Sequence, residues 1–322
     1  MPGTRSVGRV HTITMTTGIT QTPEFGRKGL AQFAVNVGTR CGHQCFYCST
    51  NVLLRRHPAF KKVGEKPFEF GYAIVDPKTP ERVAKDADQI THRGLIELCT
   101  TSDAWSPEAQ EYHLGRRCLK AILCHAGWEV RILTKNAAVT KDFDVVSEYR
   151  DRVAVGLSLT GTARQEKILM AIETNASPIT HRMAAIQLAH KRGLRTYGML
   201  CPLLPGIADD PETVDELVRF CLDNGAEEIF VEPVNRRGNG LILCAEALRE
   251  AGFKKEAAAV DAVRNGKNLS EYVARLLKTV QQAMSNHGVL DKLRFLLYST
   301  GLQKSDLKSI KTNEAGIKWL GK

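Results

Sequence analysis

Residues 39–50, TRCGHQCFYCST, place Cys41, Cys45 and Cys48 at the spacing C-x3-C-x2-C. Thiols this close point to metal or redox chemistry, because the thiolate is both nucleophile and metal ligand. Three is the informative number. A structural zinc site closes its coordination with four protein ligands, so zinc would have to add His43, His57 or Cys99 to the triplet. Zinc sites also tend to come as two C-x2-C knuckles, and this chain has one cluster of that kind. Iron–sulfur clusters are held by cysteine thiolates, and a four-iron cluster with three protein ligands leaves one iron open to another ligand. Three unligated loop cysteines are the plain alternative.

Other reactive side chains recur where short apolar runs end. The runs are residues 33–37, 95–98, 130–133, 153–159, 196–200 and 228–231, mostly rich in large or β-branched residues, as buried parallel strands are. The first leads to Cys41. The second ends in Cys99, Thr101, Ser102 and Asp103, and the third in Lys135. The fourth carries Ser158 and Thr160, the fifth ends at Cys201 and the sixth at Glu232. Glu232 and Asn235 are candidate contacts to a cofactor or substrate.

Helices are expected between the runs. Ser106-Pro107-Glu108, Ser177-Pro178 and Asp210-Pro211 read as an N-cap followed by proline at the first helical position, and Gly127, Gly193 and Gly225 as C-terminal stops. Alternating strands and helices of this length imply a parallel sheet with right-handed crossovers. Reactive groups at the same end of successive strands favour an α/β partial (β/α)6 TIM-like barrel over an open doubly wound sheet, since barrels carry their chemistry at the C-terminal ends of the strands. The bland account is that strand ends are polar because they leave the core. It explains a polar residue at each end, but less well two thiols, a lysine and a cysteine triplet.

The expected organisation is a strand or hairpin extension over 1–30, the barrel core over 31–240 and a mostly helical C-terminal cap over 241–322, with helices near 245–251 and 270–285 and a strand-like 293–298. Cys118, Cys124 and Cys221 lie in helical stretches and read as core.

The 322 residues carry a formal charge of +10 and are 43% hydrophobic. No apolar run reaches the length of a membrane span, and the N-terminus lacks a signal-peptide core. Nine cysteines without a disulfide-like arrangement suit a reducing compartment, so a cytoplasmic protein is expected. The positive charge suits a polyanionic partner. The connection 51–77 adds Arg55, Arg56, His57, Lys61, Lys62 and Lys66 interleaved with Phe60, Phe68, Phe70 and Tyr72, a mixture suited to nucleic acid. The alternative has the aromatics packed on the barrel and the charges solvated. Arg236 and Arg237, in VEPVNRRGNG, suit a phosphate or carboxylate, or a plain surface turn.

The cysteine triplet, with an aromatic residue before its last member and placed after the first strand, resembles the radical S-adenosylmethionine (SAM) enzymes. Residues 33–207 are more specifically similar to the spore photoproduct lyase and DNA-repair-photolyase-like branch, through CTTSDAWSPE, ILTKN, VGLSLT and IETNASPITHRMAAIQLAHKRGLRTYGMLCPLLPGI. The resemblance implies a [4Fe–4S] cluster on Cys41, Cys45 and Cys48 and SAM on the open iron. It implies Tyr47 near the adenine, and Ser102, Asp103, Lys135 and Ser158 as SAM-site residues. Cys99 matches a hydrogen-donating cysteine, and an electron donor such as flavodoxin or ferredoxin is implied. A nucleic-acid base is the implied substrate; a peptide, protein or small molecule is the alternative. A zinc-stabilised nucleic-acid-binding protein without catalysis is the reading from another class. Two departures stand out. One extra residue separates Cys99 from Ser102-Asp103, making Thr100 a second candidate for the donor position. Cys201-Pro202 replaces an Ala-Pro pair.

Overall fold

The computed structural model describes residues 8–21 and 23–320. Its strands are β1 (Arg9–Thr12), β2 (Ile19–Gln21), β3 (Phe33–Val35), β4 (Gly38–Arg40), β5 (Tyr72–Val75), β6 (Leu95–Leu98), β7 (Glu129–Thr134), β8 (Val153–Leu157), β9 (Arg195–Leu203), β10 (Ala226–Pro233), β11 (Leu293–Tyr298) and β12 (Ile317–Leu320). The main sheet has the order β12-β11-β10-β9-β8-β7-β6-β3-β2. Its strands pair in parallel, except that β2 runs antiparallel to β3 at one edge.

Strands β3 and β6 to β10 lie side by side in chain order. Each crossover therefore steps one strand in the same direction, which is the winding of a barrel and not of a doubly wound sheet. The sheet remains open between β2 and β12. Alternate residues along it feed two cores, because successive side chains point to opposite faces. Val155 and Leu157 join the large core shared with the helices. Ala154, Tyr197, Met199, Phe230 and Leu296 gather with Leu30 and Leu320 on the inner face. Arg131 ties the chain near Leu30 to that face, donating to the carbonyls of Gly29 (3.1 Å) and Leu30 (2.8 Å).

The structure refines the sequence reading in several places. The run 33–37 is a strand only as far as Val35: β3 stays in the main sheet, and the next strand, β4, joins a three-stranded sheet of order β1-β5-β4. Between them the Asn36 side chain leaves the ladder and accepts from the backbone N–H of Thr100 (2.9 Å), Thr101 (2.8 Å) and Ser102 (3.2 Å). Asp210 caps the helix Pro211–Asp223 as expected, accepting from the Thr213 N–H at 2.9 Å. Ser177 does not cap. The helix Ile179–Lys191 begins after Pro178, and the Ser177 hydroxyl instead accepts from the Ala137 N–H at 2.8 Å. Cys118 and Cys221 are buried, but Cys124 is exposed, because it closes the helix Leu114–Leu123 where the chain turns outward.

The connection 51–77 is not a bare loop: it forms the helices Thr50–Leu53 and Pro58–Val63 and then β5. Phe60 and Tyr72 are buried, and Phe70 packs on Phe46 with ring centres 5.0 Å apart. The Arg40 guanidinium lies 4.9 and 4.7 Å from the Phe70 and Tyr72 rings. Three of the four aromatics thus serve packing, leaving Phe68 at the surface. Arg55, Arg56, Lys61, Lys62 and Lys66 are exposed.

After β10 come the helices Gly240–Glu250, Lys254–Ala262 and Gly266–Asn286, and the chain then returns to the sheet as β11 and β12 around the helix Lys304–Lys311. Among the described residues no helix is long and apolar enough to cross a membrane.

Candidate active site

The strand period explains which side chains converge. Cys99 follows β6, Lys135 follows β7 and Ser158 follows β8, while Cys201 and Glu232 lie near the ends of β9 and β10. All five line one cavity at the C-terminal edge of the sheet. The loop after β4 brings Cys41, Cys45, Tyr47 and Cys48 to the same cavity, and the turn after β6 brings Ser102 and Asp103. The structure therefore gathers these eleven side chains, all selected from the sequence, in one cavity.

Glu173 is the centre that sequence reasoning missed. Its Oε1 accepts from the Lys135 ammonium (3.1 Å), the Thr160 hydroxyl (3.0 Å) and the Tyr47 hydroxyl, and its Oε2 accepts from Arg182. Glu173 and Arg182 are both buried. Burial by itself would raise the Glu173 carboxyl, but Arg182 and Lys135 outweigh it and hold the group at about 2. Arg182 also donates to the carbonyls of Ser177 (2.9 Å) and Ser158 (2.8 Å), fixing the end of β8. The available signal was Arg182 itself, a charge on the face of its helix shared with Ile179, Ala185 and Ile186. A buried arginine needs a carboxylate partner.

Asp103 is equally engaged. Its carboxylate accepts from the N–H groups of Trp105 and Lys135 (both 2.9 Å) and from the Thr134 hydroxyl (2.8 Å), and it faces His43 Nδ1 at 3.4 Å. This geometry orients the backbone that carries Lys135. Ser102 accepts from the Val37 N–H at 3.1 Å. The Lys135 ammonium also donates to the Cys201 carbonyl (3.3 Å) and sits 5.6 Å from the Tyr47 ring centre.

The thiols differ. Cys45 is buried, while Cys41 and Cys48 are partly exposed. Burial, helped by Glu173, pushes the Cys45 thiol up to about 12; burial, Glu108 and Cys48 raise Cys41. Thiolates here need a cation to balance them. His43, in the same loop, is buried, lines the cavity and leaves Nε2 without a hydrogen-bond partner. Among the described residues no three His, Cys, Asp or Glu side chains converge as a single-ion site. Three thiols around one cavity are the donor type by which iron–sulfur clusters are held, and His43 Nε2 stands beside them without a partner. Cys99 is buried, and burial with Asp103 pushes its thiol up to about 12. The Thr100 hydroxyl is bonded to Asn36 at 2.9 Å. The Cys201 thiol donates to Glu232 Oε2 at 3.2 Å, and the other Glu232 oxygen is 3.8 Å from Lys28.

Comparison with known proteins agrees with this geometry. The model of the radical SAM superfamily matches residues 35–221, more than half of the chain, and the protein belongs to that superfamily. It is accordingly an enzyme of the radical SAM class. An uncharacterised protein of the Acidianus two-tailed virus is 28% identical over 213 residues, spanning 64% of this chain and 68% of the viral protein. An uncharacterised protein of Methanocaldococcus jannaschii is 23% identical over 190 residues, spanning 59% and 67%. Among solved structures, a spore photoproduct lyase point mutant superposes with a TM-score of 0.59 at 15% identity, covering 88% of this chain and 81% of that one. A double mutant of that lyase with bound AdoMet and dinucleoside spore photoproduct gives 0.58 at 14% identity, with the same coverage. At these identities the likeness establishes a shared fold.

Proposed function

We propose that the protein holds a [4Fe–4S] cluster on Cys41, Cys45 and Cys48, binds SAM beside it, and abstracts hydrogen from a nucleic-acid base. When bound and reduced by a donor such as flavodoxin or ferredoxin, cluster and SAM supply a 5′-deoxyadenosyl radical. The observation that carries this reading is the single cavity shared by the three thiols and the ends of five strands. Tyr47 borders the adenine side of the SAM site. Lys135 balances the SAM carboxylate, presented by Asp103 through its backbone and by Glu173 through its ammonium. Ser102 and Ser158 contact SAM from neighbouring strand ends. Cys99, buried against the cavity, gives its thiol hydrogen atom to the substrate radical, and the thiyl left behind returns to the thiol by one electron from the same donor and a proton. The net charge of +10 and the exposed Arg55, Arg56, Lys61 and Lys62 support a polyanionic substrate.

The test is anaerobic reconstitution followed by iron, sulfide and 5′-deoxyadenosine measurements with SAM and a strong reductant. Four iron and four sulfide per chain are expected, with 5′-deoxyadenosine formed by the wild type and not by Cys45→Ala. UV-irradiated DNA and single-stranded RNA are then added; a change in 5′-deoxyadenosine yield with either supports the substrate class. An iron-loaded wild type that forms none refutes the chemistry, and one zinc per chain without iron supports a binding protein.

A further inference from the structure

A second cavity, of about 310 Å³, opens beside the first and shares the segment Glu232, Pro233, Val234 and Asn235 with it. Its size falls within the range of small-ligand pockets. Its two halves differ in chemistry. One is apolar, formed by Leu269 and Val273 from the helix Gly266–Asn286, with Leu297 and Leu302; the Tyr298 ring stands between the halves, with the Lys28 ammonium 5.6 Å from its centre. The other carries Arg236 and Arg237. Neither guanidinium has a carboxylate partner among the described residues; that of Arg237 lies 5.6 Å from the Tyr298 ring centre, and its backbone N–H donates to Asn235 Oδ1 at 2.9 Å. The one acidic side chain on this wall, Glu232, is already balanced by Lys28 at 3.8 Å. The cavity is therefore basic at one end and apolar at the other.

The turn bearing the arginines is pressed onto the cysteine loop. Gly238 has φ +77°, and a Cβ there would collide with Val52. A Cβ on Gly240 would lie 3.1 Å from the Tyr47 carbonyl. Only glycine allows so close a seat, and it keeps the arginines a fixed distance from the cofactor cavity.

We infer that this second cavity binds a nucleoside phosphate of the substrate, with the phosphate on Arg236 and Arg237 and the planar base against Tyr298 and its apolar neighbours. Paired guanidinium groups suit phosphate oxygens through charge-assisted hydrogen bonds, and aromatic faces suit bases. The shared Glu232–Asn235 wall then hands the substrate's reacting portion to the cofactor cavity. The inference rests on the nucleic-acid reading above and narrows it to a phosphate-bearing nucleotide unit, either within a strand or free.

The test uses the full chain, reconstituted with cluster and SAM, and fluorescein-labelled hexathymidylate as the probe. Wild-type protein binds it, and Arg236→Ala/Arg237→Ala weakens binding at least about 100-fold, as expected for losing two charged contacts. The slope of log Kd against log salt falls by about 1.4 for the double variant. Tyr298→Ala weakens binding about 10-fold and Tyr298→Phe less than twofold. Competition separates the sources: displacement by thymidine 5′-monophosphate identifies a free nucleotide, and displacement only by unlabelled strand identifies nucleic acid. Either result supports the inference. It is overturned if wild type binds neither phosphate probe, if thymidine competes as well as its monophosphate, or if the double variant binds like wild type. Formation of 5′-deoxyadenosine without substrate is measured in parallel on the wild type. Its absence from wild type would sink the radical chemistry and leave the binding result standing.

Discussion

Removing the Glu173 carboxylate isolates the interaction that organises the site. Glu173→Ala leaves Arg182 buried without its carboxylate and frees one side of Lys135. Breaking a buried ion pair by deleting one partner costs about 3–5 kcal/mol, because the remaining charge is uncompensated. The proton equilibrium gives a similar figure. Holding the carboxyl at about 2 in place of its ordinary 4.5 corresponds to about 3 kcal/mol, at about 1.4 kcal/mol per tenfold change. The sign follows from the depressed value: the stabilisation is present above pH 4.5 and is lost as pH falls towards 2. The assay is anaerobic urea denaturation at pH 7, comparing midpoints at constant slope. Glu173→Ala lowers stability by about 3–5 kcal/mol, and Glu173→Ala/Arg182→Met recovers much of that loss, because the orphaned charge is gone. A single variant within about 1 kcal/mol of wild type, the scale of an exposed pair, would refute the reasoning. A double variant less stable than the single would do the same.

Other consequences follow from the inner face of the sheet and its rim. Burial pushes the Glu97 carboxyl up to about 8 against the opposing pull of Arg131, and its Oε2 has no partner. The folded chain therefore keeps a proton that the unfolded chain loses above about 4.5, so this residue's cost to stability grows from pH 4.5 to 8. Glu97→Gln accordingly raises the denaturation midpoint at pH 8 and leaves it nearly unchanged at pH 5; equal shifts at both would exclude this origin. Gly240→Ala forces the arginine turn off the Tyr47 backbone. It lowers stability by about 1–3 kcal/mol, as overpacking does, and weakens hexathymidylate binding; a neutral result in both measurements contradicts the close seating. Cys45→Ala removes iron along with 5′-deoxyadenosine formation, read by metal content and by loss of brown colour.

The sequence by itself determined the parts governed by local spacing. The C-x3-C-x2-C triplet defined the cysteine loop, and short apolar runs separated by capped helices defined the parallel sheet and its chain-order winding. Polar residues at the run ends marked the edge that lines the cavity, since a period of two puts one side chain per strand at the mouth. Tertiary structure decided what depends on contacts between distant segments. The end of β3 at Val35, before β4 enters a separate sheet, goes with Asn36 meeting the turn at Thr100–Ser102, across a separation no local pattern encodes. The burial of Phe60, Phe70 and Tyr72 depended on Arg40 and Phe46 coming to them. Glu173 was not singled out in the sequence; the fold sets it between Arg182, Lys135, Tyr47 and Thr160. Ion pairing in a buried site is a property of three-dimensional proximity and lost solvent, and neither is written in residue order.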